Sequence, residues 1–514
     1  MKNLVIHSNN NEFIINLFNE EFNKKNNFVI KSIISANDQM ENLNKKFQNT
    51  DTKIFNYLDF EKSNIENIDK INNNELDEKI LKKYAHIEIL SYKMMDFYNT
   101  NGDKFSLREL RQAYYNQLVF TLNFIEKFSP DIIFFTNVPH SFSSLLLGLV
   151  AEMNKIKIVF KREISIPGKF IFQDNFFDRC VLENLDEEKY PLKIRKKNID
   201  FFNQYKEQIV NNNIKEIDKF FSPMRDHFLK NNEHLIKKYN KFFLIYFFLR
   251  QIFFHLPTII YYYFFKNYII EDSYKIKGKL FKDSVMSLSY QKFELLKADF
   301  RKYKLLTKYI SLTEKIDLKK KYIYFALHYQ PEATTYPFGN YFIDQINAIK
   351  LLSTNLPEDV FIYIKEHPDT FGIGRQSWVI GDYSRDLNYY NELKLIKNVV
   401  LIPLKCNSLT LIKNSLCIST ISGSVGLEAV FGGKPAIVFG NPWYTDCEGV
   451  LITRTHDECK MTISSVLKNN SVDKLKVNIF LQKASCSVFD YKDDIDYVST
   501  KLIEKIDKKK NQLT

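Results

Sequence analysis

Metal-ligand and disulfide patterns are missing from this 514-residue chain. Its six cysteines, Cys180, Cys406, Cys417, Cys447, Cys459 and Cys486, form no Cys-x-x-Cys pair and no zinc-like spacing. That argues against a zinc-ribbon or redox-motif reading and predicts the reduced thiols of a cytosolic protein. No His-Glu-x-x-His occurs, and no Asp-x-Asp loop follows a predicted strand of the C-terminal half, so metal-dependent chemistry finds no ligand motif. The start, Met1-Lys-Asn-Leu-Val-Ile-His7, enters a predicted strand without the apolar core of a signal peptide. Basic residues are spread along the chain and no RNA or DNA motif accompanies them, which argues against a nucleic-acid partner.

What is present is an ordinary globular composition. Hydrophobic residues make up 45% and charged residues 26%, in a chain long enough for two or three domains with full cores. Seventy-three basic against 61 acidic residues leave a net charge of +12. That suits an anionic substrate or a membrane surface and specifies neither.

The most informative stretch runs from Ile418 to Gly440. Leu416 to Ile421 is a short run rich in β-branched residues, the pattern of a buried parallel strand. Ser422-Gly423-Ser424 then make a small-residue turn, followed by a helix with Val425, Leu427, Ala429 and Val430 that stops at Gly432-Gly433. Lys434-Pro435 opens a second buried strand, Ala436 to Phe439. A turn of hydroxyls and N–H groups at a helix start favours an anion. Glu428 sits one turn further along, where a carboxylate can accept from ribose hydroxyls. The stretch therefore reads as a phosphate-plus-ribose grip, with a plain βαβ unit as the alternative.

Other strands lead to other loops. In the first part, strands at Leu4 to Ile6, Phe28 to Ile34, Ile132 to Thr136 and Ile156 to Phe160 alternate with helices at Glu12 to Phe22, Leu76 to Tyr98, Leu107 to Phe128 and Ser141 to Met153. This predicts a parallel α/β sheet with ligand loops at its carboxyl edge. His140 and the cluster Lys161-Arg162-Glu163 follow such strands. They are acceptor-site candidates, with a solvated or structurally paired role as the alternative.

In the last part, Tyr322 to Leu327 leads into His328-Tyr-Gln330-Pro-Glu332, and Val360 to Lys365 leads into Glu366-His367-Pro368. Together with the Ser-Gly-Ser turn, these loops leave the same sheet edge. His367, fixed by Pro368, is then placed to bond a phosphate or protonate a leaving group. The fold class expected is α/β with two Rossmann-like domains. The N-terminal domain is expected over 1–182, a helical region over 183–318, the nucleotide-binding domain over 319–490 and a C-terminal helix over 491–514. Within the helical region, the aromatic-rich stretch 242–265 is interrupted by Arg250, Gln251, His255 and Pro257, which excludes a clean membrane span. Flanked by Lys237, Lys238, Lys241 and Lys266, it reads either as a hairpin lying in an anionic bilayer surface or as a buried helix pair.

With Gln330-Pro331, His367-Pro368 and Ser422-Gly-Ser424 plus Glu428 in place, the chain resembles the bacterial capsule and surface-polysaccharide glycosyltransferases of the Kdo-transferase type over about residues 320 to 445. The resemblance implies a GT-B fold, no metal, and a nucleotide sugar as co-substrate, CMP-linked and carrying a sugar acid such as Kdo. It places Gln330, Glu332, His367, Ser422, Gly423, Ser424 and Glu428 on the donor, with His367 at the phosphate. It gives the N-terminal domain the acceptor, a glycan or glycolipid, with His140 and Arg162 as contacts. It also puts a catalytic carboxylate there, for which Glu163 is the candidate. The cytoplasmic face of the inner membrane is the expected location, with 242–265 as the peripheral contact. Competing readings are a teichoic-acid-type glycerophosphotransferase using a CDP donor, a nucleotide-sugar 2-epimerase, and a non-catalytic membrane-docked assembly protein. The first favours an Asp ahead of paired serines, which Ile418-Ser-Thr-Ile-Ser422 lacks. The second usually carries an acidic run after the Gly/Ser turn, also missing here.

Overall fold

The computed structural model describes residues 1–8, 27–35, 40–61, 76–97, 106–139, 141–164, 168–177, 179–180, 191–211, 301–330, 333–371, 385–490 and 495–507, with a few isolated positions between them. The predicted Glu12 to Phe22 helix, His140 and Glu332 lie outside the described residues, as does 242–265 apart from Leu249 and Phe253. Among the described residues no helix is long and apolar enough to cross a membrane.

Among the described residues, thirteen strands build two sheets. The first contains β1 (Lys2–Ser8), β2 (Phe28–Ser35), β3 (Lys53–Asn56), β4 (Ile132–Phe135), β5 (Lys157–Glu163), β6 (Lys169–Gln173) and β13 (Phe489–Asp490), in the order β13-β6-β5-β4-β1-β2-β3. Strands β3 to β5 pair in parallel, whereas β6 and β13 close the edge antiparallel. Its central strand β4 is buried throughout, as expected where helices cover both faces.

The second sheet contains β7 (Lys321–Ala326), β8 (Val360–Lys365), β9 (Val399–Leu401), β10 (Cys417–Thr420), β11 (Ala436–Val438) and β12 (Val450–Ile452). It is parallel throughout, in the order β12-β11-β10-β7-β8-β9. Counted from β7, this is the doubly wound order 3-2-1-4-5-6. Both sheets reverse direction of growth beside their first strand, between β1 and β4 and between β7 and β10. The expected pair of Rossmann-like domains is therefore observed.

The chain crosses between the domains twice. The Leu192–Val210 helix places Phe202, Tyr205 and Ile209 in the second domain's core, against Phe431, Trp443 and Phe480. In return, β13 joins the first sheet, and the Ile495–Asp507 helix buries Val498, Leu502 and Ile506 against Phe170 and Phe172. The expected boundary at 490 thus falls just after a strand that belongs to the first sheet.

Candidate nucleotide site

The reversal point between β7 and β10 is where an open α/β sheet binds ligands. Two of the predicted loops start there, and the third leaves the neighbouring β8. Thr420, the last residue of β10, is followed by the turn 421–424 and the short helix Val425–Phe431. Across from it, His328 follows β7 by two residues and is buried. Its Nε2 lies 2.8 Å from Thr420 Oγ1 and accepts from the backbone N–H groups of Ile421 (3.2 Å) and Ser422 (3.3 Å). Two backbone donors on Nε2 require the neutral ring with its proton on Nδ1. Burial, with the Arg385 charge adding to it, pushes the His328 pKa down to about 3, so the ring stays neutral.

Two glycines follow from this packing. A Cβ on Gly423 would lie 2.5 Å from His328 Cε1, and one on Gly426 would lie 2.3 Å from Tyr444 Oη. Tyr444 hydroxyl donates to the Gly423 carbonyl, so the turn is held on both sides.

The second loop is ordered by a carboxylate. Glu366 and Lys365 leave β8 in different directions and do not form the flanking ion pair that adjacency suggests. Lys365 Nζ donates to Cys406 O (2.6 Å) and Ser408 Oγ (3.0 Å). Glu366 is buried against Arg385, at 2.8 Å, and its Oε1 accepts from the His367 backbone N–H at 2.9 Å. The half-buried His367 ring lies 6.0 Å from the Tyr329 ring, centroid to centroid, which brings the second loop beside the first.

Several predicted donor contacts turn out to be engaged within the protein. Gln330 is buried, donates to Ile343 O (2.9 Å) and accepts from Arg385 (2.7 Å) and Gln345 (3.1 Å). It supports the site from behind. Ser422 hydroxyl donates to Thr334 O, and Ser424 hydroxyl donates to Glu428 Oε1 at 3.2 Å. Glu428, expected to face a ribose, is 6% exposed and also accepts from Tyr205 OH at 3.3 Å. The crossing helix thus covers the place assigned to the ribose.

On the acceptor side, Arg162 does not face outward. It is buried, donates to Gln173 Oε1 (2.8 Å) and Asn441 O (2.9 Å), and its guanidinium carbon stands 3.5 Å from the centre of the Phe338 ring. Burial lowers its pKa to about 10, so the charge persists at neutral pH and serves the domain junction. Glu163 at the end of β5 is 63% exposed, with Lys161 Nζ 4.0 Å away.

Two clusters carry no sequence motif. One is Arg385 with its partners. The other lies at the reversal point of the first sheet, where His7 Nε2 is 2.9 Å from Ser144 Oγ and Ser144 donates to Glu61 Oε1 at 3.2 Å. Ser141, which caps the Phe142–Met153 helix, also donates to Glu61. Burial pushes the His7 pKa down to about 4 and raises that of Glu61. The regular β1 strand around His7 could have pointed to that residue. The segment holding Glu61 offers no comparable pattern.

Residues 337–474 match the family of capsule polysaccharide biosynthesis proteins. That span holds His367, Arg385, the 421–424 turn and Glu428, and begins shortly after the His328 loop. It meets the resemblance that the Gln-Pro, His-Pro and Ser-Gly-Ser signatures imply. No curated protein matches the chain.

Among solved structures, the β-Kdo 2,7-transferase KpsC of Thermosulfurimonas dismutans is similar at 12% identity, over 78% of this chain and 98% of its own, with a TM-score of 0.29. The β-Kdo 2,4-transferase KpsC of the same organism is similar at 19% identity over 41% and 63%, with a TM-score of 0.22. A UDP-GlcNAc 2-epimerase from Methanocaldococcus jannaschii is similar at 14% identity over 94% and 98%, with a TM-score of 0.24. The assignment of two Rossmann-like domains rests on the sheet orders given above.

Proposed function

We propose that the chain is a glycosyltransferase of capsule polysaccharide biosynthesis, moving a sugar from a nucleotide donor to a glycan or glycolipid acceptor. One observation carries the reading. Three loops from β7, β8 and β10 are bonded into a single unit at the reversal point of a six-stranded parallel sheet. The capsule-family match, which spans the β8 and β10 loops, supports the substrate class.

In this reading the donor phosphate lies against the 421–424 turn, where the Ser422 and Ser424 hydroxyls exchange their internal bonds for the ligand. His367 supports the phosphate as it leaves. Glu428 reaches the ribose once Tyr205 gives way. Glu163, exposed at the carboxyl end of β5, remains the candidate carboxylate of the acceptor side. The finer proposal is a CMP-activated sugar acid such as Kdo, transferred without a metal. Peripheral contact with the inner membrane through 242–265 completes it.

The test is release of CMP from CMP-Kdo by the purified chain, followed with and without an acceptor glycan. The reading expects slow release that acceptor accelerates. His367→Ala should cut it at least about 100-fold, the order of effect of one lost transition-state contact, while the melting temperature stays nearly unchanged. Inertness toward CMP-, UDP-, GDP- and CDP-linked donors, with liposome binding retained, would instead make the chain a membrane-docked assembly protein.

A further inference from the structure

The nucleotide site is backed by a buried ion pair with more partners than a structural pair requires. Arg385 is 2% and Glu366 1% exposed, and Arg385 Nε donates to Glu366 Oε2 at 2.8 Å. The rest of the guanidinium faces the first loop, with one terminal nitrogen on Gln330 Oε1 at 2.7 Å and the other on His328 O at 3.1 Å. The carboxylate meanwhile serves the second loop. Its Oε1 accepts from the His367 N–H at 2.9 Å and from Thr370 hydroxyl at 3.3 Å, and its Oε2 accepts from Tyr390 hydroxyl at 2.9 Å. The third loop is reached through His328, whose ring accepts from the Ile421 and Ser422 N–H groups. The partners in the first two loops are held by charged groups whose planar fork or paired oxygens fix direction as well as distance.

We propose that Arg385 and Glu366 are the positioning pair of the nucleotide site. They set the relative placement of the three loops by acting through the His328 carbonyl and the His367 backbone, without touching the ligand. Burial, the largest single influence, works against a charged guanidinium here, but the Glu366 charge and hydrogen bond together with Tyr389 and Tyr390 outweigh it, so Arg385 remains a cation. A lysine keeps that charge but cannot donate to a carboxylate, an amide oxygen and a carbonyl in one plane. Replacing both members by uncharged residues removes the guanidinium's contacts to the first loop and the charge that holds the second, without stranding a buried charge. A merely structural pair therefore predicts a double variant that folds and works. A positioning pair predicts one that folds and does not.

The proposal rests on the nucleotide-sugar reading only for the identity of the ligand, and the experiment separates the two. The full chain, the double variant Glu366→Gln/Arg385→Met, and Arg385→Lys are each titrated with CMP, CDP, UDP and GDP. The His328 ring nitrogens are followed in parallel by ¹⁵N NMR. The expected result is a double variant that melts close to the wild-type temperature and binds the preferred nucleotide about 10- to 100-fold more weakly, as displacement of positioned groups causes. The His328 Nε2 signal should move away from its acceptor position. Arg385→Lys should show the same losses and carries the test should the double variant not fold. Wild-type nucleotide affinity together with an unshifted His328 signal in either folded variant overturns the proposal. If the wild type binds none of the four nucleotides, the ligand reading falls, and the His328 signal alone decides whether the pair positions the loops.

Discussion

At the residue scale, packing around His328 decides what the 421–424 turn can tolerate. Gly423 does not use a left-handed backbone; it is glycine because the imidazole lies where a methyl would go. Gly423→Ala should therefore destabilise the fold by about 1–3 kcal/mol, the cost of overpacking, and weaken nucleotide binding more than that loss explains. Denaturant unfolding and calorimetry on the same sample check both.

The two buried histidines also make a pH prediction. Both have folded pKa values below the ordinary 6.5, at about 4 for His7 and about 3 for His328. Below pH 6.5 the unfolded chain takes up protons that the folded chain refuses, so stability is present above 6.5 and is lost as pH falls towards 4. Each histidine withdraws on the order of 3 kcal/mol across that window. Glu61 has the opposite sign: its raised pKa contributes stability at low pH that is lost as pH rises through the folded value. His7→Gln should flatten the fall between pH 6.5 and 4 in denaturation curves, leaving the His328 share.

At the element scale, the crossing segments bind each domain to the other. Leu502 is fully buried between the C-terminal helix and the first sheet. Leu502→Ala should cost about 2–5 kcal/mol. Hydrogen exchange should rise in β5, β6 and β13 and remain unchanged in the second sheet; a rise confined to 495–507 would show that the helix is not coupled to the sheet.

This scale also shows what the sequence made legible. Leu107–Phe128 was readable because its helical periodicity is a local signal. Val360–Lys365 was readable as a continuous buried run. Lys53–Asn56 and Val450–Ile452 escaped because they are short, half-exposed edge strands without alternation. Lys169–Gln173 escaped because its pairing reverses the parallel pattern of the chain before it. The three-loop convergence follows from strand order, which motifs at strand ends foreshadow. Arg385 does not follow, because Glu366 and Gln330 stand 19 and 55 positions away, and a lone Arg before a helix resembles any solvated residue. Burial likewise turned Gln330 and Arg162 from expected ligand contacts into supports, and exposure cannot be read from residue type.

At the scale of the whole molecule, the two domains meet through a continuous apolar contact rather than a loose hinge. Phe338 packs 6.0 Å from Phe160, and Tyr336, Phe338 and Ile343 belong to the same buried cluster as the first domain's helices. Arg162 crosses this contact to the Asn441 carbonyl, while Asn441 donates back to Phe177 O at 2.6 Å. Arg162→Ala would leave the Asn441 carbonyl and Gln173 without their charged donor. It should cost about 3 kcal/mol and split into two, visible by calorimetry, the single unfolding transition that this contact predicts for the wild type.

A nucleotide site at the sheet's reversal point requires the loops from β7, β8 and β10 to close on one ligand. Hydrogen–deuterium exchange of the full chain, with and without saturating nucleotide, asks this directly. Nucleotide should protect residues 327–330, 366–371 and 421–425 together. Protection confined to one of these segments, or located elsewhere in the molecule, would contradict that closure.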